Sequence, residues 1–168
     1  MKRFLKYLVF FAIMGTLIFV IKVIMMPLPN IHPVGVLIVS LTVVFRAKAL
    51  IPIYIYVFLD GIFFGGLWWI PYLYIWAVLW LFAMLLPKNM PKGIAMPVYM
   101  VVCGLHGFLY GVLYAPAQAI MFGLDFKGTI AWIISGLPFD AIHGVSNIIT
   151  GTMILPLAMV LKRAIKRI

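Results

Sequence analysis

The chain has 168 residues, of which 67% are hydrophobic and only 10% charged, and its mean hydropathy is +1.23. Soluble domains carry about 25% charged residues, so composition excludes a soluble globular protein and points to an all-α integral membrane protein. The formal charge of +10 does not imply nucleic acid, because the basic residues punctuate the apolar runs instead of forming a patch.

The apolar runs are far longer than the ~10-residue strands of a membrane barrel, so helices are expected throughout. Span one covers about Phe4 to Met26 and stops at Pro27-Leu-Pro29-Asn30, a turn or loop. Its basic start resembles a signal peptide, but the run is long and no small-residue cleavage site stands out, so it reads as a span. Span two, about 34–45, ends at Arg46-Ala-Lys48. It is shorter than the ~20 residues needed to cross, hence either tilted or a partial span. Span three covers about 49–66, and span four about 68–86, closed by Pro87-Lys-Asn-Met-Pro-Lys92. Span five is long, about 94–122. A loop with Asp125 and Lys127 follows, then a half-span 129–134 and an expected break at Gly136-Leu-Pro138. Span six runs from Pro138, at a helix first turn, to about Leu161. The chain is thus read as one domain, 1–168, a six-transmembrane-helix bundle.

With both termini cytoplasmic, the inner segments hold Lys2, Arg3, Lys6, Arg46, Lys48, Lys88, Lys92, Lys162, Arg163, Lys166 and Arg167. Only Lys22 and Lys127 then face outward, as the positive-inside rule requires. A seventh span at 129–134 would be too short and would reverse the C-terminus.

Four groups of residues carry candidate chemistry. In span six, Asp140, His143 and Asn147 fall at i, i+3 and i+7 on one stripe, with Gly144 and Gly151 beside them. Ionisable groups in a membrane helix are functional candidates by default. A cap at the helix start is the plain alternative for Asp140 and His143, but it does not reach Asn147. In span five, His106, Tyr110, Tyr114 and Gln118 recur every four residues, as ligand contacts or as a buried hydrogen-bond network. Gly104, Gly107, Gly111 and Ala115 form a separate stripe suited to close helix packing.

In span four, Trp69, Tyr72, Trp76 and Trp80 share a face. An interfacial belt accounts for Trp68, Trp69 and Tyr72, whereas Trp76 and Trp80 lie deeper and could form a stacking wall for a flat ligand. Lys22 and Asp60 either pair with each other, the preferred reading, or meet a ligand charge. In the assigned orientation these groups fall in the outer half, with His106 near the middle, so a pocket open to the outside over a dry inner plug is expected. Cys103 is the only cysteine, which excludes an internal disulfide and a cysteine-based metal site. No phosphate loop, zinc pair or nucleophile elbow appears, so no catalytic residue and no cofactor is expected. Any energy for accumulating a substrate must come from another chain.

The segment GLPFDAIHGVSN (136–147), followed by an apolar run and a basic tail, resembles the last helix of substrate-specific (S) components of energy-coupling factor (ECF) transporters. The small size, six spans and short second span resemble that family as well, so the likeness covers the whole chain. It implies a multi-pass subunit of the bacterial cell membrane that captures a vitamin or similar micronutrient at the outer face. The implied partners are a transmembrane coupling subunit and two ATPase subunits. Substrate would be held by the first loop, hence His32, and by spans four to six, where the aromatic and polar stripes lie. Docking through small residues on the first helix would fall on Ala12, Gly15 and Thr16, with Thr16 replacing the family's second alanine. Two other classes compete: a structural membrane protein whose stripes only fix packing, and a metal-binding protein or enzyme using His32, His106, Asp140 and His143.

Overall fold

The computed structural model of the protein describes residues 2–166. Its helices are α1 (Lys2–Ile24), α2 (Val34–Phe45), α3 (Leu50–Phe64), α4 (Tyr72–Leu85), α5 (Lys92–Phe108), α6 (Tyr110–Phe122), α7 (Phe126–Gly151) and α8 (Ile154–Lys166), with no strand among the described residues. The side chains of Lys2 and Arg3, and Arg167 as a whole, fall outside the described residues. By length and composition α1, the run from α2 to α3 and the run from α5 to α6 can each cross a membrane. The bent pair α7–α8 adds a fourth, and α4 is a shorter apolar helix. The protein is therefore all-helical and compatible with a membrane.

A 3-10 turn at Arg46–Ala49 joins α2 to α3. Arg46 itself, at φ 53 and ψ −125, breaks the helical path between them. α3 lies parallel to α1: Lys48 sits over the Tyr7 ring near one end, Gly15 meets Ile55 midway, and Lys22 meets Asp60 towards the other. Val34, Val36, Ile38, Val39 and Leu41 of α2 are buried and its other apolar side chains half-buried, because α4 and α8 flank it. Its twelve residues therefore face mainly other helices. The Arg46 side chain finishes α4, donating to the carbonyls of Ala83, Met84 and Leu86; these are among the carbonyls a helix end leaves unpaired.

The most extensive helix pairing is α5 against α7, and its cause is the small-residue stripe. A Cβ on Gly107 would stand 2.8 Å from the Gly144 backbone, and one on Gly104 2.4 Å from Ile148. Gly151 lies against Met100. The two helices run antiparallel at backbone contact, which is the packing role expected of that stripe.

The expected break at Gly136-Leu-Pro138 is overturned. α7 runs unbroken from Phe126 to Gly151, and Pro138 lies inside it. The helix starts where Asp125 caps it, accepting from the Gly128 amide at 2.7 Å. The break comes instead at Thr152-Met153, where the axis turns by 55° into α8. Pro156 explains that site, since its ring collides with the carbonyl four residues earlier, at Thr152. Pro138 imposes a similar cost, as do Pro97 in α5 and Pro116 in α6, but membrane helices absorb such prolines through their neighbours. The half-span 129–134 is thus the first third of α7, not a separate piece.

The lysines of the α2–α3 turn, the α4–α5 loop and α8 gather at one end. Lys48, Lys162 and Lys166 line one cavity with Tyr7, and Lys88, Lys92 and Lys162 line the next. The Lys22–Asp60 pair and the turn before α4 lie towards the opposite end.

Candidate functional site

The aromatic and imidazole side chains of α4, α5, α6 and α7 converge in the half of the molecule away from the lysines of α8. Trp76 meets His106 at 5.5 Å between ring centroids and Tyr110 at 5.8 Å. Tyr72 lies 6.0 Å from Trp76, 6.5 Å from Tyr110 and 6.3 Å from Tyr114. Tyr110 meets His143 edge-on at 4.9 Å, and His143 meets His32 at 5.1 Å. Seven of the candidate binding residues therefore form one continuous cluster: His32, Tyr72, Trp76, His106, Tyr110, Tyr114 and His143. The four-residue spacing on α5–α6 survives the interruption at Leu109, which is why a single periodic stripe identified three of them.

Two further rings belong to the cluster. Tyr56 of α3 lies 6.1 Å from Trp76, and Trp132 of α7 stacks on Tyr114 at 5.8 Å and 25°. Tyr56 precedes Asp60 by four residues, a helical spacing that places both on one face. Trp132 carried no readable signal as long as 129–134 stood apart from the last helix.

The polar atoms of this cluster are unevenly satisfied. His106 Nε2 lies 3.0 Å from the Ile75 carbonyl, so that nitrogen carries the proton and Nδ1 presents a lone pair. Among the described residues Nδ1 of His106 has no partner, nor does either ring nitrogen of His143, which is 1% exposed. His32 Nδ1 and Asn147 Oδ1 are likewise unpartnered, while the Asn147 amide donates to the Cys103 carbonyl at 3.2 Å. Burial lowers the His32 pKa to about 4, helped by the nearby Lys22 charge and opposed by a backbone hydrogen bond. In the loop between α1 and α2 that imidazole is neutral at pH 7. The cluster thus offers neutral donors and acceptors between aromatic faces.

The chain matches no family model, no curated protein and no solved structure. What the site can do rests on its own atoms.

Four other candidates stand outside the ring cluster or are already engaged. Asp60 is paired with Lys22 at 2.6 Å. Asp140 is not at a helix start, as the capping alternative supposed, but in mid-α7; its two carboxylate oxygens accept from the Gly111 amide at 3.1 and 3.0 Å, at the first turn of α6. Trp69 precedes α4 and packs against Gly61 and Phe58. Asn147 faces the α5 backbone at the lower edge of the cluster. Trp80 leaves the expected wall altogether and donates to the Arg46 carbonyl at 3.1 Å. Among the described residues no three His, Cys, Asp or Glu side chains gather to hold a metal ion.

The expected open pocket is also corrected. Trp76, His106 and His143 are each no more than 1% exposed, because the rings pack on one another in offset and edge-on contacts. Beside them an apolar groove of about 480 Å³ runs along α7, lined by Ile31, Ile142, Val145, Ser146 and Ile149 among others. Ile31 and Ile142 immediately precede His32 and His143, so the groove adjoins the imidazole pair.

On α1 the small residues divide. Ala12 and Thr16 line an exposed groove with Ile13, Leu17 and Val20. Gly15 turns the other way, 2.7 Å in Cβ terms from Ile55 and the Pro52 carbonyl.

Proposed function

We propose that this protein is the substrate-binding membrane subunit of an ECF-type transporter, capturing a vitamin-like micronutrient for uptake driven by separate ATPase subunits. The observation that carries the reading is His143: a fully buried imidazole between Tyr110 and His32 with neither nitrogen partnered. A buried polar group left unpaired costs about 1–3 kcal/mol, and this ring has two. A flat ligand with a donor and an acceptor on its edge would pair them while its faces meet Trp76, Tyr72 and Tyr110. Because the rings are closed on one another, such a ligand must part them, and His32 is carried on a loop between α1 and α2 and not on a helix. Docking to a coupling subunit is supported by the exposed Ala12–Thr16 groove of α1. Gly15 serves the α1–α3 contact instead.

The test is a thermal-shift screen of the detergent-purified protein against water-soluble vitamins and their precursors. A ligand at 100 times its Kd adds about 2.7 kcal/mol of stability, and a hit should be lost in His143→Ala with the protein still monodisperse. A hit retained in that variant removes the site from this cluster, and a flat screen removes the reading itself in favour of a scaffold. The scaffold reading is favoured by Asp60, Asp140 and the Asn147 amide, whose partners all lie within the fold.

A further inference from the structure

We propose that the groove between the start of α5 and α8 binds the phosphate of an acidic phospholipid. The cavity, about 440 Å³, is lined by Lys88, Lys92 and Lys162 around a floor that includes Ala95, Tyr99 and Ala158. All three lysines are exposed, and no acidic side chain answers them. The chain has three acidic residues: Asp60 is held by Lys22, Asp140 by the Gly111 amide, and Asp125 caps α7. Arg46, at the same end, already serves the α4 carbonyls. Among the described residues the three lysines have no comparable task.

A second observation points to the same ligand. α5 begins in this groove with no side-chain cap. The Pro91 carbonyl accepts from Ile94 and Ala95, so the amides of Lys92 and Gly93 precede the first bond of the helix. The space beside Gly93 is open where a side chain would stand. An uncapped helix N-terminus carries partial positive charge and free N–H donors, the arrangement that receives phosphate. The third wall is apolar, with Leu155 and Met159 of α8, so acyl chains can follow the groove into the membrane. A lipid phosphate satisfies both the lysines and that wall, whereas free phosphate would use only the first.

The experiment counts lipid retained by the intact, purified chain by native mass spectrometry, after equilibration with mixed micelles containing phosphatidylglycerol or phosphatidylcholine. The triple variant Lys88→Gln, Lys92→Gln, Lys162→Gln is compared with Lys48→Gln, Arg163→Gln, Lys166→Gln, which removes the same charge from the same end outside this groove. Each lysine near an anionic surface contributes roughly fivefold, so the groove variant should bind phosphatidylglycerol roughly 100-fold more weakly. The control should keep most of its affinity. Equal loss in both variants overturns the site in favour of diffuse attraction, as does equal retention of the two lipids by the unaltered chain. Displacement of phosphatidylglycerol by millimolar inorganic phosphate would assign the site to free phosphate instead.

Discussion

Lys22 and Asp60 lie 38 positions apart in sequence and 2.6 Å apart in space, and their pairing frees the candidate site of a net charge. The Lys22 ammonium also lies 4.0 Å above the Phe64 ring, a second attraction for the same cation. Asp60 is 3% exposed, so removing its partner strands a carboxylate in an apolar setting. Lys22→Met should therefore cost about 3 kcal/mol of stability, read as thermal unfolding in detergent, and adding Asp60→Leu should recover most of that loss. If Lys22→Met instead leaves stability unchanged but abolishes ligand binding, the lysine meets substrate and the pair is secondary. At this scale the sequence was informative wherever a polar residue sat in an apolar run, because such a residue has to find a partner. It could not say which partner. Asp140 illustrates the limit: a helix cap stood only as the alternative to a functional role there, and in the fold it bonds a first-turn amide, but that of α6.

The pairing of α5 with α7 depends on side chains that are absent. Gly104 and Gly107 approach α7 closely enough that no Cβ fits without movement, and at Gly107 the obstacle is the Gly144 backbone, which cannot rotate away. Gly107→Val should therefore destabilise the protein by at least the 1–3 kcal/mol typical of overpacking. It should also weaken ligand binding, since the seam positions Tyr110 against His143. Unfolding and ligand titration of the same sample would check it, and unchanged stability would mean that the helices are farther apart than described. The seam was legible in sequence as a glycine stripe at helical spacing. The continuity of α7 was not, because Gly136 and Pro138 are strong local signals for a break, whereas the neighbours that let a membrane helix carry a proline are tertiary. The real bend was marked by Pro156, a quieter signal placed four residues beyond the carbonyl it displaces.

Across the whole molecule, charge and polarity separate along the helix axes. The lysines of α8, of the α2–α3 turn and of the α4–α5 loop meet at one end, while the imidazoles, the tyrosines and the Lys22–Asp60 pair occupy the other half. Charge punctuation therefore exposed the long-range arrangement even though no single contact could be derived from it. The closed packing of the rings escaped sequence reasoning, because periodicity reports which face a residue occupies and not whether that face encloses space. The segregation predicts a topology with the basic end in the cytoplasm. In a Cys103→Ser background, Leu28→Cys in the α1–α2 loop and Asn89→Cys in the α4–α5 loop should label differently in intact cells. A membrane-impermeant maleimide should reach Leu28→Cys directly and Asn89→Cys only after permeabilisation. Cys103 is fully buried, and its contact to Asn147 is made by the backbone carbonyl, so the serine background should preserve the fold. The reverse labelling pattern would turn the cluster towards the cytoplasm, which a protein that captures substrate from outside could not tolerate.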